Sequence, residues 1–299
     1  MIYQFNPILK ATPWGGHKIC QMKGLPASPT AIGESWELST LNGMESVVAK
    51  GPYKGLTLTE LAAQEGESLL GSRVCSAYGK TFPLLLKFID AKEWLSLQVH
   101  PDDDTALALE GQGFNGKNEL WHIVAAQPGA KIIAGFKDGI ALQDYIDSEG
   151  SARMMEMVQF HDATVGRNFL IPAGTIHAIG SGVMIAEVQQ SSDLTYRVYD
   201  HGRPRELHFD KARKSLKVMH YSGADCNHSR DFFVSRHETN SPDLIEPISG
   251  SFQAIMVLEG NCEIDGHNVC PGSTLLISAN HGPAKITPHG KVVYLSVAM

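Results

Sequence analysis

The apolar residues of this 299-residue chain come in short runs, many alternating with polar residues and closed by Gly, Pro or Asn. That pattern commits most of the chain to short β-strands of the kind that build sandwiches and barrels. Residues 34–39, 94–100, 120–124, 130–136, 168–171, 183–188 and 194–199 all read this way. Helical signals are fewer. Thr57-Leu-Thr-Glu60 has the spacing of a capping box ahead of Leu61, Ala62, Leu69 and Leu70. Residues 102–110 open on acids and continue with Ala and Leu, which suits a short helix with favourable N-terminal charge. Residues 139–160 predict two short helices broken at Gly150-Ser151, with Leu142, Tyr145 and Ile146, then Met154 and Val158, turned inward. From residue 227 onward there is no helical period, only a meander with turns at Glu259-Gly260 and Asp265-Gly266. Its order of strands and turns echoes residues 166–180. The expectation is a mainly β fold of two barrel-like units: residues 1–225 with helical insertions, and residues 226–299. No low-complexity linker separates them, so they should pack against each other.

Composition narrows the partners. At 43% apolar and 19% charged the chain is ordinary for a globular protein. A net charge of −7 argues against a nucleic-acid or anionic-membrane partner. An anionic substrate must then be met by a local positive site such as a metal ion. Five cysteines, an odd number without paired spacing, do not suggest a disulfide framework; the nearest pair is Cys262 and Cys270. The N-terminus lacks a charged segment followed by a long apolar run, and no stretch is long and apolar enough to span a membrane. The expectation is a soluble cytoplasmic protein, a monomer or weak homodimer, acting on a small molecule.

Four residues on three segments stand out. In Leu97-Gln-Val-His-Pro101, Gln98 and His100 are two apart and face the same way on a strand, with Pro101 ending it. In residues 117–124 the same alternation groups Lys117, Glu119 and Trp121, and turns His122 to the opposite face as a structural residue. The third segment, Gly166-Arg-Asn-Phe-Leu-Ile-Pro-Ala-Gly-Thr-Ile-His177, fits G-x5-P-x-G-x2-H, which resembles the second motif of the cupins. Pro172 and Gly174 make a tight turn that sends His177 back into the barrel. An amide, two imidazoles and one carboxylate suit Zn²⁺ or a similar divalent ion. The alternative is a set of core polar residues satisfied by hydrogen bonds.

The wider string includes Phe82-Pro-Leu-Leu-Leu-Lys-Phe-Ile-Asp-Ala91, Leu95-Ser-Leu-Gln-Val-His-Pro-Asp-Asp103, Gly116-Lys-Asn-Glu-Leu-Trp-His122, Pro172-Ala-Gly-Thr-Ile-His-Ala178 and residues 187–200. In this order it resembles type I mannose-6-phosphate isomerases (phosphomannose isomerases) of the short bacterial form, from Pro13-Trp-Gly-Gly16 to about Asp210. The resemblance implies a bicupin of two jelly-roll-like barrels. It implies one zinc ion on Gln98, His100, Glu119 and His177, and a sugar phosphate substrate. The family's Y-R arginine falls on Arg197 and its G-K-x-E lysine on Lys117; Asn118 stands where Thr is more usual. After Asp210 only a generic cupin-like unit is matched, without a second set of ligands.

Aldose–ketose interconversion moves a proton between C1 and C2 through an enediolate, so the developing oxyanion must be stabilised and a base must reach both carbons. Lys117 is a candidate acid or base, or else an ion-pair partner of Asp102 or Asp103. Arg197 can clamp an enediolate or phosphate, or else pair with Asp193 or Asp200. Glu187 is open between a catalytic and a hydrogen-bonding role. With no P-loop in the sequence, Ser96 and Lys87 are the candidates to meet the phosphate. Trp14 and Trp36 are either sugar-stacking walls or core. The competing readings are an isomerase for another hexose phosphate, and a sugar-phosphate-binding cupin without turnover.

Overall fold

The structure is a computed structural model that describes residues 1–26, 29–218 and 221–299. Four antiparallel sheets form two stacked pairs. In the first pair, one sheet runs in the order Asn168–Ile171, Glu119–Ala126, Val183–Gln190, Leu84–Ala91, Ile8–Gly16, Ile32–Leu38. Its partner runs Tyr196–Tyr199, Leu97–Val99, His177–Ile179, Lys131–Phe136, Val158–Asp162. In the second pair, one sheet runs Phe233–Thr239, Val292–Ala298, Gln253–Glu259, Thr274–Ile277, Ile2–Asn6, Val47–Val48, and the other Asp243–Ile245, Ala284–Pro288, Cys262–Ile264, His267–Val269. This is the expected mainly β bicupin with helices inserted in its N-terminal part.

Alternation along each strand decides what each face covers. On Leu84–Ala91, Leu84, Leu86 and Phe88 face out of the first pair, while Ile89 and Ala91 face its interior. On Val183–Gln190, Met184, Ala186 and Val188 face out, and Val183 and Ile185 face in. Both strands are buried along their whole length. Their outer faces meet Ala254, Met256, Leu276, Leu295 and Val297 of the second pair, together with the helices Leu58–Glu65, Glu67–Leu70 and Ser72–Tyr78. The two units thus share one apolar core, as the missing linker suggested. The second pair closes on its own core of Ile255, Val257, Ile264, Leu275, Ile286 and Tyr294.

Sheet membership does not follow chain order throughout. Ile2–Asn6 belongs to the stretch 1–225 expected to build the first unit, yet it pairs with Thr274–Ile277 in the second. Its Tyr3 and Phe5 enter the shared core, and that burial holds it there.

The helical readings hold in outline. Thr57 and Glu60 form a reciprocal capping box, with the Glu60 amide donating to Thr57 Oγ1 and the Thr57 amide to Glu60 Oε2. Asp102 caps Asp103–Glu110 by accepting from the Thr105 amide at 3.0 Å. Two helices, Leu142–Ser148 and Met154–Met157, flank the break at Gly150-Ser151. Leu142 is exposed rather than inward, because it opens its helix, and Val158 begins a strand instead of continuing a helix. The strand expected over 94–100 is regular only over Leu97–Val99, and the one expected over 194–199 only over Tyr196–Tyr199. All five cysteines are free.

Candidate active site

The interior face of the first pair gathers the candidate site residues. His177 opens its strand directly opposite Gln98, which places the first and third motifs side by side. The turn before it depends on Gly174, whose φ of 91° is left-handed and costs a side chain strain. Glu119 faces inward opposite Gln189, and His122 faces outward, where its Nδ1 meets Asn168 Oδ1 at 2.7 Å. Among the described residues, His100, Glu119 and His177 form a buried trio whose ligand atoms lie within 4.8 Å of one another.

The orientation of the trio is set from behind. His100 Nδ1 donates to the Leu194 carbonyl at 2.7 Å, and His177 Nδ1 to the Thr175 carbonyl at 2.8 Å. Each ring therefore carries its proton on Nδ1 and turns an Nε2 lone pair inward, the support metal-binding histidines use. The two Nε2 atoms are 3.1 Å apart, and His100 Nε2 is 3.2 Å from Glu119 Oε1. Glu119 Oε2 is buried, 3.8 Å from His177 Nε2, and has no hydrogen-bond partner. The Lys117 ammonium answers His100 Nε2 and Glu119 Oε1 but leaves Glu119 Oε2 bare; lone pairs converging on one buried point call for a further cation, so this donor set fits a divalent ion. Gln98 completes it. Its Nε2 is 3.3 Å from His177 Nε2 and its Oε1 accepts from Ser96 Oγ at 3.0 Å; turning the amide over presents its oxygen to the same point.

Electrostatics keep the trio in ligand form. Burial, then the Lys117 ammonium, pushes His100 down to about 3, and burial also lowers His177. Burial works against the Glu119 charge, but Lys117 and the two imidazoles outweigh it and hold the carboxyl well below its usual range. Neutral imidazoles and an ionised carboxylate are the forms a metal binds.

Lys117 touches both Glu119 Oε1 and, at 3.1 Å, His100 Nε2. The alternative pairing with Asp102 or Asp103 is not made: Asp102 bonds Lys217 at 2.9 Å, and Asp103 bonds Arg230. Beside the trio opens a cleft of about 540 Å³ including its mouth, lined by Ser96, Gln98, Lys117, Glu187 and Arg197 among others. Arg197 does not pair with Asp200, whose carboxylate is taken by Arg203 and Arg205; its Nε is buried without a partner. Lys87 lines the cleft too, but its ammonium lies 3.0 Å from Glu187 Oε2. Trp121 Nε1 donates to the other Glu187 oxygen at 2.9 Å. Burial and the Glu119 charge raise the Glu187 carboxyl above its usual range against the pull of Lys87.

Of the two tryptophans, Trp14 lines the cleft, packed against Gly33 where a Cβ would meet its ring at 2.7 Å. Trp36 is core, with Lys10 Nζ 4.0 Å from its ring centre. Two cleft residues escaped the sequence reading, Glu34 and Arg205. Glu34 sits two residues before Trp36 in an alternating strand, so its inward face was readable but not what lay across from it. Arg205 lies in a loop without period and is held by Asp200.

Comparison with known proteins shows the family. The type I phosphomannose isomerase catalytic domain matches residues 2–139. A mannose-6-phosphate isomerase from Streptococcus mutans is 41% identical over 213 residues, covering 69% of this chain and 64% of that protein. The mannose-6-phosphate isomerase ManA of Bacillus subtilis is 36% identical over 220 residues, covering 72% of this chain and 67% of that protein. These sequence matches thus span about two-thirds of the relatives' length. The crystal structure of the mannose 6-phosphate isomerase from Bacillus subtilis superposes with a TM-score of 0.87 at 29% identity, over 100% of this chain and 99% of that one. With that extent of identity and a shared fold, the chain belongs to the type I phosphomannose isomerase family.

Proposed function

We propose that this chain is a metal-dependent aldose–ketose isomerase interconverting mannose 6-phosphate and fructose 6-phosphate. The reading rests on one observation above all: the converging donors of His100, Glu119 and His177 adjoin a cleft lined by Lys117, Glu187 and Arg197. Residues 1–225 carry the chemistry. Residues 226–299, whose sheets enclose an apolar core, support it. Five free thiols favour a reducing compartment, the cytoplasm.

Gln98, His100, Glu119 and His177 would hold one metal ion per chain, and this mixed set of imidazole, carboxylate and amide suits zinc. Bound there, the ion supplies Lewis acidity toward a sugar oxygen. The other tasks fall to side chains. Glu187, with its raised carboxyl pKa, is suited to carry a proton between C1 and C2. Arg197 offers a guanidinium with an unspent buried N–H to the enediolate or the phosphate. Lys117 orients Glu119 and His100 and brings a positive charge to the developing oxyanion. Ser96 lines the cleft on the same face as Gln98, and turning the Gln98 amide over would free its O–H to donate to the phosphate. The charge of Lys87 is engaged by Glu187, so it tunes that carboxyl rather than gripping an anion.

A coupled assay of mannose 6-phosphate conversion to fructose 6-phosphate tests the reading. The metal-loaded protein should turn over, and Arg197→Ala and Glu187→Gln should lose most turnover while keeping the metal. A metal-loaded wild-type protein inert toward mannose 6-phosphate would overturn it.

A further inference from the structure

The two sheets that face each other across the cleft differ in charge. The five-stranded sheet and the loop after Tyr199 present Ser96, Thr195, Arg197 and Arg205, without a carboxylate. The six-stranded sheet presents Glu34 and Glu187, with the ammonium of Lys87 drawn to Glu187 and that of Lys117, just before the Glu119 strand, drawn to Glu119. A sugar phosphate entering this space meets Arg197, which among the described residues has no ion pair, on one side, and on the other ammoniums already paired to carboxylates. Its anionic end is drawn more strongly to the first.

Glu34 is the carboxylate the chemistry above leaves unused. It sits on Ile32–Leu38, opposite Lys10 on one neighbouring strand and Ile89 on the other. Trp36 Nε1 donates to its Oε2 at 2.6 Å. Among the described residues its Oε1 has no hydrogen-bond partner and the carboxylate has no ion pair. Burial opposes its charge, but Lys87, the Trp36 N–H and Lys10 hold it ionised. An ionised acceptor with a free oxygen, fixed by an indole and turned into a sugar cleft, is suited to neutral hydroxyl donors.

We propose that Glu34 accepts hydrogen bonds from the sugar hydroxyls on C3 and C4, between the reacting carbons and the phosphate, and so selects the hexose configuration there. The assignment rests on the isomerase reading for the substrate class and deepens it. Its partner is the hydroxylated middle of the sugar, with the phosphate on the Arg197 and Arg205 side.

The test is a binding comparison by calorimetry on the metal-loaded protein, using mannose 6-phosphate and its 3-deoxy and 4-deoxy analogues. Glu34→Gln keeps the shape and an acceptor for Trp36 but removes the charge. It should weaken mannose 6-phosphate binding about 10- to 100-fold, the range for a charge-assisted hydrogen bond. At least one deoxy analogue should bind the wild type correspondingly more weakly and lose little more in the variant. Should Glu34→Gln fail to fold, Glu34→Asp withdraws the carboxylate by one methylene and serves the same comparison. An equal loss for all three ligands, or none for any, overturns the proposal. A wild type that binds with this coupling but does not isomerise leaves Glu34's role standing and removes the isomerase reading.

Discussion

Replacing Lys87 with methionine removes a buried charge while keeping most of the side chain's length. Lys87 and Glu187 are in register on neighbouring strands, with Nζ 3.0 Å from Oε2 and side chains only 7% and 4% exposed. Without the ammonium, Glu187 keeps a carboxylate that burial and Glu119 already disfavour. Taking up a proton is its escape, and that caps the cost. Neutralising a carboxyl of ordinary pKa 4.5 at pH 7 takes about 1.36 kcal/mol per unit, or about 3.4 kcal/mol in all. The adjoining cleft admits some water, so the expected loss is about 2–3 kcal/mol, somewhat below the usual cost of breaking a buried pair. In the variant the folded state holds a proton at pH 7 that the unfolded chain does not. Its deficit should therefore shrink as pH falls from 7 toward 4.5. Urea unfolding at pH 7 and pH 5, read as a shift in midpoint at constant slope, measures this, and Glu187→Gln added to the variant should recover most of the loss. A deficit under about 0.5 kcal/mol at both pH values, or one untouched by the second substitution, would refute the reasoning.

Two further expectations separate structure from ligation. His177→Ala should abolish metal binding, whereas His122→Ala should retain the metal and lose about 1–3 kcal/mol, because Asn168 is left without its partner; metal content and urea midpoints read both. Asp102→Ala should cost about 1 kcal/mol through the lost helix cap. The Thr105 side chain, then Lys217 and the Thr105 N–H, hold the Asp102 carboxyl down at about 2 against an ordinary 3.8, so its contribution is present above pH 3.8 and fades as pH falls through about 2. Acid unfolding curves of wild type and variant should converge in that window, and a constant offset would count against the cap.

The proposed metal-binding residues were legible because alternation is local. Gln98 and His100 share a face by spacing alone, as do Lys117, Glu119 and Trp121, and a glycine turn returns His177. His122 was assigned to the outer face for the same reason, and Asn168 meets it there. What alternation cannot carry is which strands adjoin. Ile2–Asn6 finds its partner at Thr274–Ile277, some 270 residues away, and nothing near Tyr3 marks that pairing. The partners of Lys117 and Arg197 were open for the same reason. Competition from other charges decided them: Lys217, from a distant segment, takes Asp102, while Asp200 is taken by Arg203 and Arg205 in the turn that follows it. Glu34 gained significance only once three neighbouring strands set it against the cleft.

The most direct test of the whole account is to add Zn²⁺ stepwise to metal-free protein and follow mannose 6-phosphate turnover at each step. Activity should rise from near zero and level off at one equivalent per chain. Full activity before any metal is added, or a rise unrelated to the amount bound, would contradict it.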